Sequence, residues 1–362
     1  MSRKSIMLQA LSALEKNLQL SESEDKIKVF TSVTEEYEIL STGVGARDVS
    51  YSTILSVSGK DAQDFLHRIS TNSVKNLEIN QAVRTIFTND KGRILERVVL
   101  ARLQDQIILF GNEGTEELLS FWLNKYIIMD DVKVKSLYGQ QFVIEVHSHQ
   151  AESLMILLFG DAAKKIEENK IYTVLCDSHI VHFLKIHEQN NKYKYILFGE
   201  ASGVRAICTQ LYESKSILDF SFIGEEAYER FRIEEGLVGP KELSNQFNPI
   251  EAGLIGEVDF KKGCYIGQEV IARLDTYHKV QKSLVGFVFK ERIAFDGVLT
   301  VYDAERNEIG VVTSAANSPE SSSMIGLGYI RKSKLETEEE ETYFVLDGNR
   351  EVETYLRKIG NL

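Results

Sequence analysis

Hydrophobic and polar positions along this chain recur with two periods, one typical of β-strands and one typical of α-helices. Residues 52–58 alternate as in a strand, and in residues 62–69 the apolar positions fall on one helical face. The same reasoning predicts strands at 83–87, 94–103, 106–110 and 132–137 and a helix over 115–128. A β-α-β-β-α-β order of this kind predicts a ferredoxin-like domain.

A second and looser copy of this order follows. Its predicted strands are 142–146, 172–176, 180–185 and 193–198, and its predicted helices are 151–158 and 204–212. Beyond residue 282 the predicted elements are short strands at 284–289, 298–302, 308–313 and 325–330, separated by Gly, Asn and Ser. Short strands with such turns predict a small β-barrel. The pattern as a whole therefore predicts an α+β protein with a C-terminal barrel.

Length and composition fit a globular protein of two or three domains, because 362 residues with 43% hydrophobic content can bury large cores. Residues 1–20 place apolar side chains at helical spacing among charged ones, which predicts an amphipathic helix rather than a signal peptide. No apolar run approaches the ~18 residues that span a bilayer, so no membrane association is expected.

Charge and cysteine usage narrow the function classes. A net charge of −12 argues against tight nucleic-acid binding, which normally uses a basic face. The three cysteines, Cys176, Cys208 and Cys264, are odd in number and too widely spaced for a zinc ribbon. Neither a disulfide framework nor a metal site is expected, and a reducing, cytoplasmic location fits best. Cys176 and Cys208 lie in apolar patterns typical of a core.

Residues 261–269, Lys-Lys-Gly-Cys-Tyr-Ile-Gly-Gln-Glu, hold the densest chemistry of the chain. Glycine permits positive φ and close approach of the backbone to a partner. Lys262 beside Cys264 is the kind of neighbour that lowers a thiol pKa and favours the thiolate. Between residues 261 and 282 there are five Lys or Arg residues and two acidic residues, so this segment has a net charge of +3 within an acidic chain. This basic segment indicates an anionic ligand.

The segment resembles the K-G-C-Y-x-G-Q-E signature of the YgfZ family, folate-binding relatives of the glycine cleavage T-protein that support iron-sulfur enzymes. All seven fixed letters are present, from Lys262 to Glu269. Residues 232–236 (Arg-Ile-Glu-Glu-Gly) and 249–254 (Pro-Ile-Glu-Ala-Gly-Leu) resemble two further motifs of that family. The resemblance implies two interleaved ferredoxin-like folate-binding domains and a C-terminal barrel, arranged around a central channel. It predicts a helical extension at 1–24, a folate-binding region at 25–281 and a barrel at 282–362.

The resemblance also implies a set of folate contacts. Glu234 matches the glutamate that grips the pterin ring by two charge-assisted hydrogen bonds, and Arg232 belongs to the same motif. Asn112 looks like the asparagine that lines the folate channel. From the residues alone, Glu234 could instead be a surface acid paired with Arg230 or Arg232, and Asn112 could be a turn residue.

The signature segment and the residues that follow it supply the remaining predicted contacts, which are Lys262, Tyr265, Gln268 and Arg273. Arg273 with Lys279 and Lys282 would attract the glutamate tail of folate. Cys264 is the predicted catalytic thiol, acting either as a nucleophile or as a transient cluster ligand.

One departure from the T-protein concerns catalysis. T-proteins carry G-G-x-x-D-D where this chain has Lys-Gly-Arg-Ile-Leu-Glu-Arg at 91–97. The first acid becomes Glu96, kept here as a candidate catalytic residue, and the second becomes Arg97, which reverses the charge. Catalytic groups tolerate displacements of only about 0.5 Å, so efficient aminomethyl transfer is not expected. Residues 91–94 instead resemble the K-G-R-I of the YgfZ branch.

The sequence thus predicts a monomeric, tetrahydrofolate-binding YgfZ-type protein that assists maturation or repair of iron-sulfur enzymes, together with some tRNA modification. Its expected partners are folate and iron-sulfur enzymes or cluster-assembly proteins. Two other functions stay open, an aminomethyltransferase of glycine cleavage and a folate-binding scaffold without turnover. Whether the protein is an enzyme is left undecided by the altered acidic pair.

Overall fold

The structure, a computed structural model, describes residues 5–11, 18–22, 26–147, 150–190, 192–277, 279–317, 323–335, 342–348 and 350–359. The helices are α1 (Ile6–Leu11), α2 (Val33–Thr42), α3 (Ala62–Ile69), α4 (Glu116–Tyr126), α5 (Ala151–Phe159), α6 (Ala201–Glu213), α7 (Glu225–Glu234) and α8 (Gln268–Thr276). None of them is of a length and hydrophobicity that would allow it to cross a membrane, as far as the described residues go.

The strands alternate with these helices. They are β1 (Gln19–Leu20), β2 (Ile27–Val29), β3 (Val44–Asp48), β4 (Ile54–Ser58), β5 (Gln81–Thr88), β6 (Ile94–Arg102), β7 (Ile107–Phe110), β8 (Lys133–Ser136), β9 (Phe142–His147), β10 (Ile171–Cys176), β11 (His179–His187), β12 (Tyr193–Gly199) and β13 (Phe220–Phe222). The C-terminal strands are β14 (Lys282–Phe289), β15 (Leu299–Tyr302), β16 (Glu308–Asn317), β17 (Met324–Arg331), β18 (Tyr343–Asp347) and β19 (Arg350–Arg357).

The larger sheets are a six-stranded one in the order β10-β11-β12-β9-β3-β13 and a five-stranded one in the order β5-β6-β7-β4-β8. The C-terminal strands form a closed barrel in the order β14-β17-β16-β15-β18-β19. This arrangement confirms the predicted α+β class and the C-terminal barrel. The predicted domain limits stay a prediction.

The chain divides into two compact units. The first comprises residues 1–67, 73–85 and 98–228, and the second comprises residues 68–72, 86–97 and 229–362.

In the first unit, α1 is part of the core. Ile6, Met7 and Leu11 are fully buried in the largest hydrophobic cluster of this unit. The Ser5 hydroxyl and the Met7 amide donate to the Asp48 carboxylate, at 2.5 and 3.4 Å. The predicted helix over residues 1–20 is wrong at its end, because Gln19–Leu20 pairs as a strand with β2. Residues 12–17 lie outside the described residues.

The first unit also buries a chain of ion pairs, here called the ion-pair chain, formed by Arg47, Glu145, Lys194, Glu188 and Arg84. Glu145 accepts from Arg47 Nε at 3.1 Å and pairs with Lys194, which also lies 3.0 Å from Glu188. Glu188 in turn pairs with Arg84. Burial alone would raise the pKa of Glu145, but Lys194 and then Arg47 outweigh it and hold the pKa well below its usual range. Each carboxylate of the ion-pair chain therefore pairs with two cations, and Arg47 pairs in addition with Glu225, 3.3 Å away.

In the second unit, one cluster fills the barrel and another joins the barrel to the preceding segments. The barrel interior includes Phe287, Phe289 and Val345. The joining cluster includes Ile94, Phe247 and Tyr329, and the rings of Phe247 and Tyr329 stack with centroids 3.5 Å apart. Residues 86–97 are thereby fixed against the barrel.

Candidate functional site

The signature turn, residues 261–267, lies in the second unit between the short 3₁₀ helix Ile255–Glu257 and α8. Cys264 is a free thiol on the exposed side of this turn. Tyr265 is buried beside it, in a small hydrophobic cluster with Val258 and Ile271. The turn therefore presents a thiol to solvent and places the adjacent phenol inside the protein.

Lys262 anchors the turn. Its ammonium donates to the carbonyl oxygens of Ser70 and Asn72, at 2.5 and 2.8 Å, and its side chain is buried. Burial lowers the pKa of Lys262 to about 8. The Asp259 carboxylate accepts from the backbone amides of Lys261 and Lys262, at 2.8 and 3.2 Å. Lys262 thus binds the turn to residues 70–72, a structural role that the sequence did not reveal.

Two glycines allow the signature turn to pack against the turn at residues 91–93. Gly267 has φ +84°, and a Cβ there would lie 2.5 Å from the Asn89 carbonyl oxygen and 3.0 Å from Gly92 Cα. Gly92 has φ +66°, and a Cβ there would lie 3.1 Å from Ile271. Any other residue at Gly267 would meet both strain and a backbone clash. The two motifs that resemble the YgfZ family therefore form one packed unit.

Gly263 behaves differently from Gly267. Its φ is not positive, and a Cβ at this position would meet no described atom within 4 Å. Gly267 therefore has the positive φ and the close backbone approach that the sequence predicts, whereas Gly263 has neither a positive φ nor a close protein neighbour.

Glu96 and Arg97 lie on β6 and are both buried. Glu96 Oε1 accepts from the backbone amide of Arg97 at 2.9 Å. Arg97 Nε lies 2.9 and 3.0 Å from the two carboxylate oxygens of Glu257, and a second guanidinium nitrogen bonds to the same carboxylate. The charge reversal at Arg97 is therefore neutralised locally by Glu257, in the 3₁₀ helix that leads into the signature turn.

Arg232, a predicted folate contact, is engaged by the protein itself. Its guanidinium donates to both carboxylate oxygens of Glu229 at 2.5 Å, to Glu242 at 2.9 Å, to Ser314 at 2.8 Å and to the Leu237 carbonyl at 3.3 Å. These five bonds use all five N–H groups of an arginine. Arg232 therefore fastens α7 to β16 of the barrel, and a role in binding ligand finds no support in this geometry.

Glu234, two residues further along α7, keeps part of its hydrogen-bonding capacity. Arg357 of β19 donates to Glu234 Oε1 at 3.1 Å and to the carbonyl oxygens of Ile233 and Glu234, at 2.9 and 2.7 Å. Within the part of the chain that the structure describes, Glu234 Oε2 has no hydrogen-bond partner, and the side chain is 34% exposed. The pairing with Arg230 or Arg232 that helical spacing allowed is replaced by a pairing with the barrel.

The remaining predicted contacts lie at different places. Gln268 begins α8, and its backbone N–H donates to the Tyr265 carbonyl oxygen at 3.3 Å. Arg273 lies exposed near the end of that helix. Asn112 belongs to the first unit, where its carbonyl oxygen accepts from the Thr53 amide and the Thr115 hydroxyl. Lys262, Cys264, Tyr265, Gln268 and Arg273 thus lie on one continuous segment of the second unit, because they are neighbours in sequence.

Sequence reasoning missed the protein partners of the candidate residues, which are Ser70 and Asn72 for Lys262, Glu257 for Arg97 and Arg357 for Glu234. No local pattern indicates them, because Glu257 lies 160 positions from Arg97 and Ser70 lies 192 positions from Lys262. Groups of three or more His, Cys, Asp or Glu suited to a metal ion do not occur in the residues described.

Comparison with known proteins covers nearly the whole chain. A family model of the GCVT N-terminal domain matches residues 15–262, and a model of the glycine cleavage T-protein C-terminal barrel domain matches residues 282–355. The chain is 27% identical over 314 residues to a chloroplastic "putative transferase" of Arabidopsis thaliana, covering 86% of this chain and 71% of that protein. It is 26% identical over 318 residues to an aminomethyltransferase of Staphylococcus carnosus, covering 85% and 84%.

Among solved structures, the glycine cleavage system aminomethyltransferase T of Bartonella henselae matches with a TM-score of 0.82 at 17% identity, covering 99% of this chain and 98% of that one. At that identity the match establishes the fold alone. Together with the two domain models, whose N-terminal member alone spans more than half of the chain, these findings show that the protein belongs to the glycine cleavage T-protein family.

Proposed function

We propose that this protein is a tetrahydrofolate-binding, YgfZ-type member of its family that supports iron-sulfur enzymes rather than glycine cleavage. The observation that carries the proposal is the packed pair of motifs, in which Gly92 and Gly267 lock the K-G-R-I turn against the turn that exposes Cys264. A thiolate is the form in which cysteine acts as nucleophile or metal ligand, and both roles need an accessible sulfur.

Folate is the proposed ligand because the chain has groups that suit it. Glu234 retains an unengaged carboxylate oxygen that can accept from the amide and amino edge of a pterin. Its Oε1 holds two lone pairs, so a bond from Arg357 leaves it able to accept once more. When bound, tetrahydrofolate supplies a carrier for one-carbon groups. Arg273 and Lys279 are exposed cations that suit the glutamate tail.

Aminomethyl transfer is the second candidate, and the retained carboxylate of Glu96 together with the aminomethyltransferase of Staphylococcus carnosus favours it. Against it stands Arg97, where the T-protein motif has its second acid. Arg97 is buried and paired with Glu257. If its guanidinium moved away, the carboxylate of Glu257 would be left buried without a partner.

A folate-binding scaffold without turnover is the third candidate. It would bind folate equally well after loss of the thiol, whereas the proposed function requires Cys264. The proposed partners are iron-sulfur enzymes or cluster-assembly proteins, and tRNA modification would follow where the modifying enzyme is an iron-sulfur protein.

The test combines a binding assay with an activity assay. Calorimetric titration of the purified protein with tetrahydrofolate should give saturable binding, and a glycine-cleavage half-reaction with partner proteins supplied should give no turnover above background. Cys264→Ser should bind folate normally yet fail to restore iron-sulfur enzyme activity in cells that lack the protein. Robust aminomethyl transfer would reject the proposal. Full restoration of iron-sulfur enzyme activity by Cys264→Ser would also reject it, in favour of the folate-binding scaffold.

A further inference from the structure

The outer face of α4, in the first unit, presents large apolar side chains to solvent. Phe121 is 73% exposed and Leu118 is about half exposed. The opposite face of the same helix, with Leu119, Trp122 and Leu123, is buried and holds α4 on its unit. The outer face therefore has no part in that core. A single exposed apolar residue is normal on a protein surface, but a contiguous group of them marks an interaction site.

The apolar surface continues past the end of α4. Ile128 and Met129, which follow the helix directly, are 84% and 94% exposed. Apolar groups stabilise a structure only when they are removed from water. These two side chains and Phe121 therefore gain stability when a partner covers them.

Two opposite charges flank Phe121 on the outer face. Glu117 lies four residues before Phe121 and Lys125 lies four residues after it, and both are exposed. At 3.6 residues per turn, each of them is displaced by only about 40° from Phe121 around the helix axis. Among the residues described, neither charge has an ion-pair partner. The outer face is thus negative at one end, apolar in the middle and positive at the other end.

We propose that the outer face of α4 binds the outer face of α4 in a second copy of this chain, as an antiparallel helix pair with the two Phe121 rings at the twofold axis. A twofold interface brings the same surface of both copies together, so the surface must be complementary to itself. In the antiparallel arrangement Glu117 of each copy lies beside Lys125 of the other, and the apolar side chains meet between these two charge pairs. The inference is independent of the proposed function, and the dimer replaces the monomer that the sequence predicts.

Sedimentation velocity of the purified protein over a range of concentrations tests the pairing. The original protein should show a reversible monomer–dimer equilibrium, and Phe121→Asp should be monomeric at every concentration. Lys125→Glu and Glu117→Lys should each raise the dimer dissociation constant more than about tenfold, because each places like charges against each other twice in the dimer. The altered side chains are exposed, so the melting temperatures of the variants should match that of the original protein.

Mixing the two charge variants is the decisive measurement. In a heterodimer of Lys125→Glu with Glu117→Lys, both contacts again join opposite charges. The mixture should therefore dimerise about as well as the original protein, although neither variant does so alone. The matched control uses α6, where the exposed and oppositely charged Arg205 and Glu213 are also eight positions apart. Arg205→Glu and Glu213→Lys should leave the dissociation constant unchanged.

Three results would overturn the inference. An original protein that stays monomeric at all concentrations would leave the outer face of α4 to a partner of a different kind. A dimer that persists in Phe121→Asp would place the interface on another surface. If the mixture of the two charge variants dimerised no better than either variant alone, the antiparallel pairing of α4 would be wrong.

Discussion

Arg97 and Glu257 form a buried two-pronged ion pair at the position where the T-protein motif has its second acid. Their side chains are 7% and 12% exposed, and Arg97 Nε lies 2.9 and 3.0 Å from the two oxygens of Glu257. Bidentate arginine–carboxylate pairs of this kind are geometrically specific. The pair ties β6 to the 3₁₀ helix that leads into the signature turn, so it contributes to the placement of Cys264.

Breaking this pair from one side should destabilise the protein strongly. Arg97→Ala is expected to lower the free energy of unfolding by about 3–5 kcal/mol, because it leaves Glu257 as an uncompensated buried charge. The double variant with Glu257→Ala should be more stable than the sum of the single effects predicts. Urea denaturation of all four proteins measures the coupling, and the exposed pair Lys290 and Glu353 is the control, with much smaller effects. If the effects of Arg97→Ala and Glu257→Ala on the free energy of unfolding simply added up in the double variant, this role of the pair would be contradicted.

The same pair bears on recovery of aminomethyl transfer. Glu96→Asp with Arg97→Asp would recreate the acidic pair of the T-protein, but it would also place a second carboxylate beside Glu257. We expect that double variant to be poorly folded and inactive, and Glu257→Gln added to it to restore folding. Circular dichroism melting curves and the glycine-cleavage half-reaction test both points, and a stable double variant would contradict the expectation.

Folate affinity should separate two residues of α7. Glu234→Gln replaces an acceptor oxygen by a donor and is expected to weaken tetrahydrofolate binding by about 1.5–3 kcal/mol, the range of a hydrogen bond to a charged group. Arg232→Lys keeps the charge but loses the five-donor geometry, so it should lower stability and leave folate affinity unchanged. Calorimetric titration measures the folate affinity of both variants, and urea denaturation measures their stability. Weakened folate binding by Arg232→Lys at unchanged stability would show that Arg232 contacts the ligand.

The three thiols should differ sharply in reactivity. Cys264 is exposed and should react with iodoacetamide in the native protein, while Cys176 and Cys208 should react only after denaturation. Burial raises the pKa of both buried thiols, Cys208 most strongly, which further lowers their thiolate fraction. Peptide mass spectrometry after timed alkylation gives the three rates. Comparable rates for Cys264 and Cys208 in the native state would contradict the exposed position of the turn.

Lys262 should make stability depend on pH in the alkaline range. Its pKa is lowered by burial to about 8, below the ordinary value of 10.5, so between these limits the unfolded state binds more protons than the folded state. The contribution of Lys262 to the free energy of unfolding therefore rises as pH increases from about 8 to about 10.5. Urea denaturation at several pH values should show the original protein gaining stability over Lys262→Met across this window. A constant difference would contradict the lowered pKa.

Glu145 should make stability depend on pH in the acidic range, with the same sign. Because its folded pKa lies well below its unfolded value, it stabilises the protein above about pH 4.3 and loses this contribution as pH falls toward the folded pKa. Glu145→Gln should therefore cost most stability near neutral pH and progressively less in acid. The exposed Glu152 supplies the matched control, Glu152→Gln. An equal effect of Glu145→Gln at pH 7 and pH 3 would remove the ion-pair chain as its cause.

The sequence by itself determined the strands and helices between residues 52 and 212, because periods of 2 and 3.6 residues are local properties. The predicted helix at 62–69 is α3, and the strands predicted at 142–146 and 193–198 are β9 and β12. The strands β18 and β19, which close the barrel, were not predicted. Charged residues interrupt the alternation along β19, and its place in the barrel is set by pairing with β14 and β18.

The signature was also visible in the sequence, because its seven fixed residues all lie between Lys262 and Glu269. Tertiary structure alone decided what its neighbours do. Arg232 and Glu234 are two residues apart on one helix and were both predicted as folate contacts. Arg232 is surrounded by five acceptors, whereas Glu234 pairs with a single arginine. Such partners come from strands and loops far along the chain, and only folding brings them within hydrogen-bonding distance.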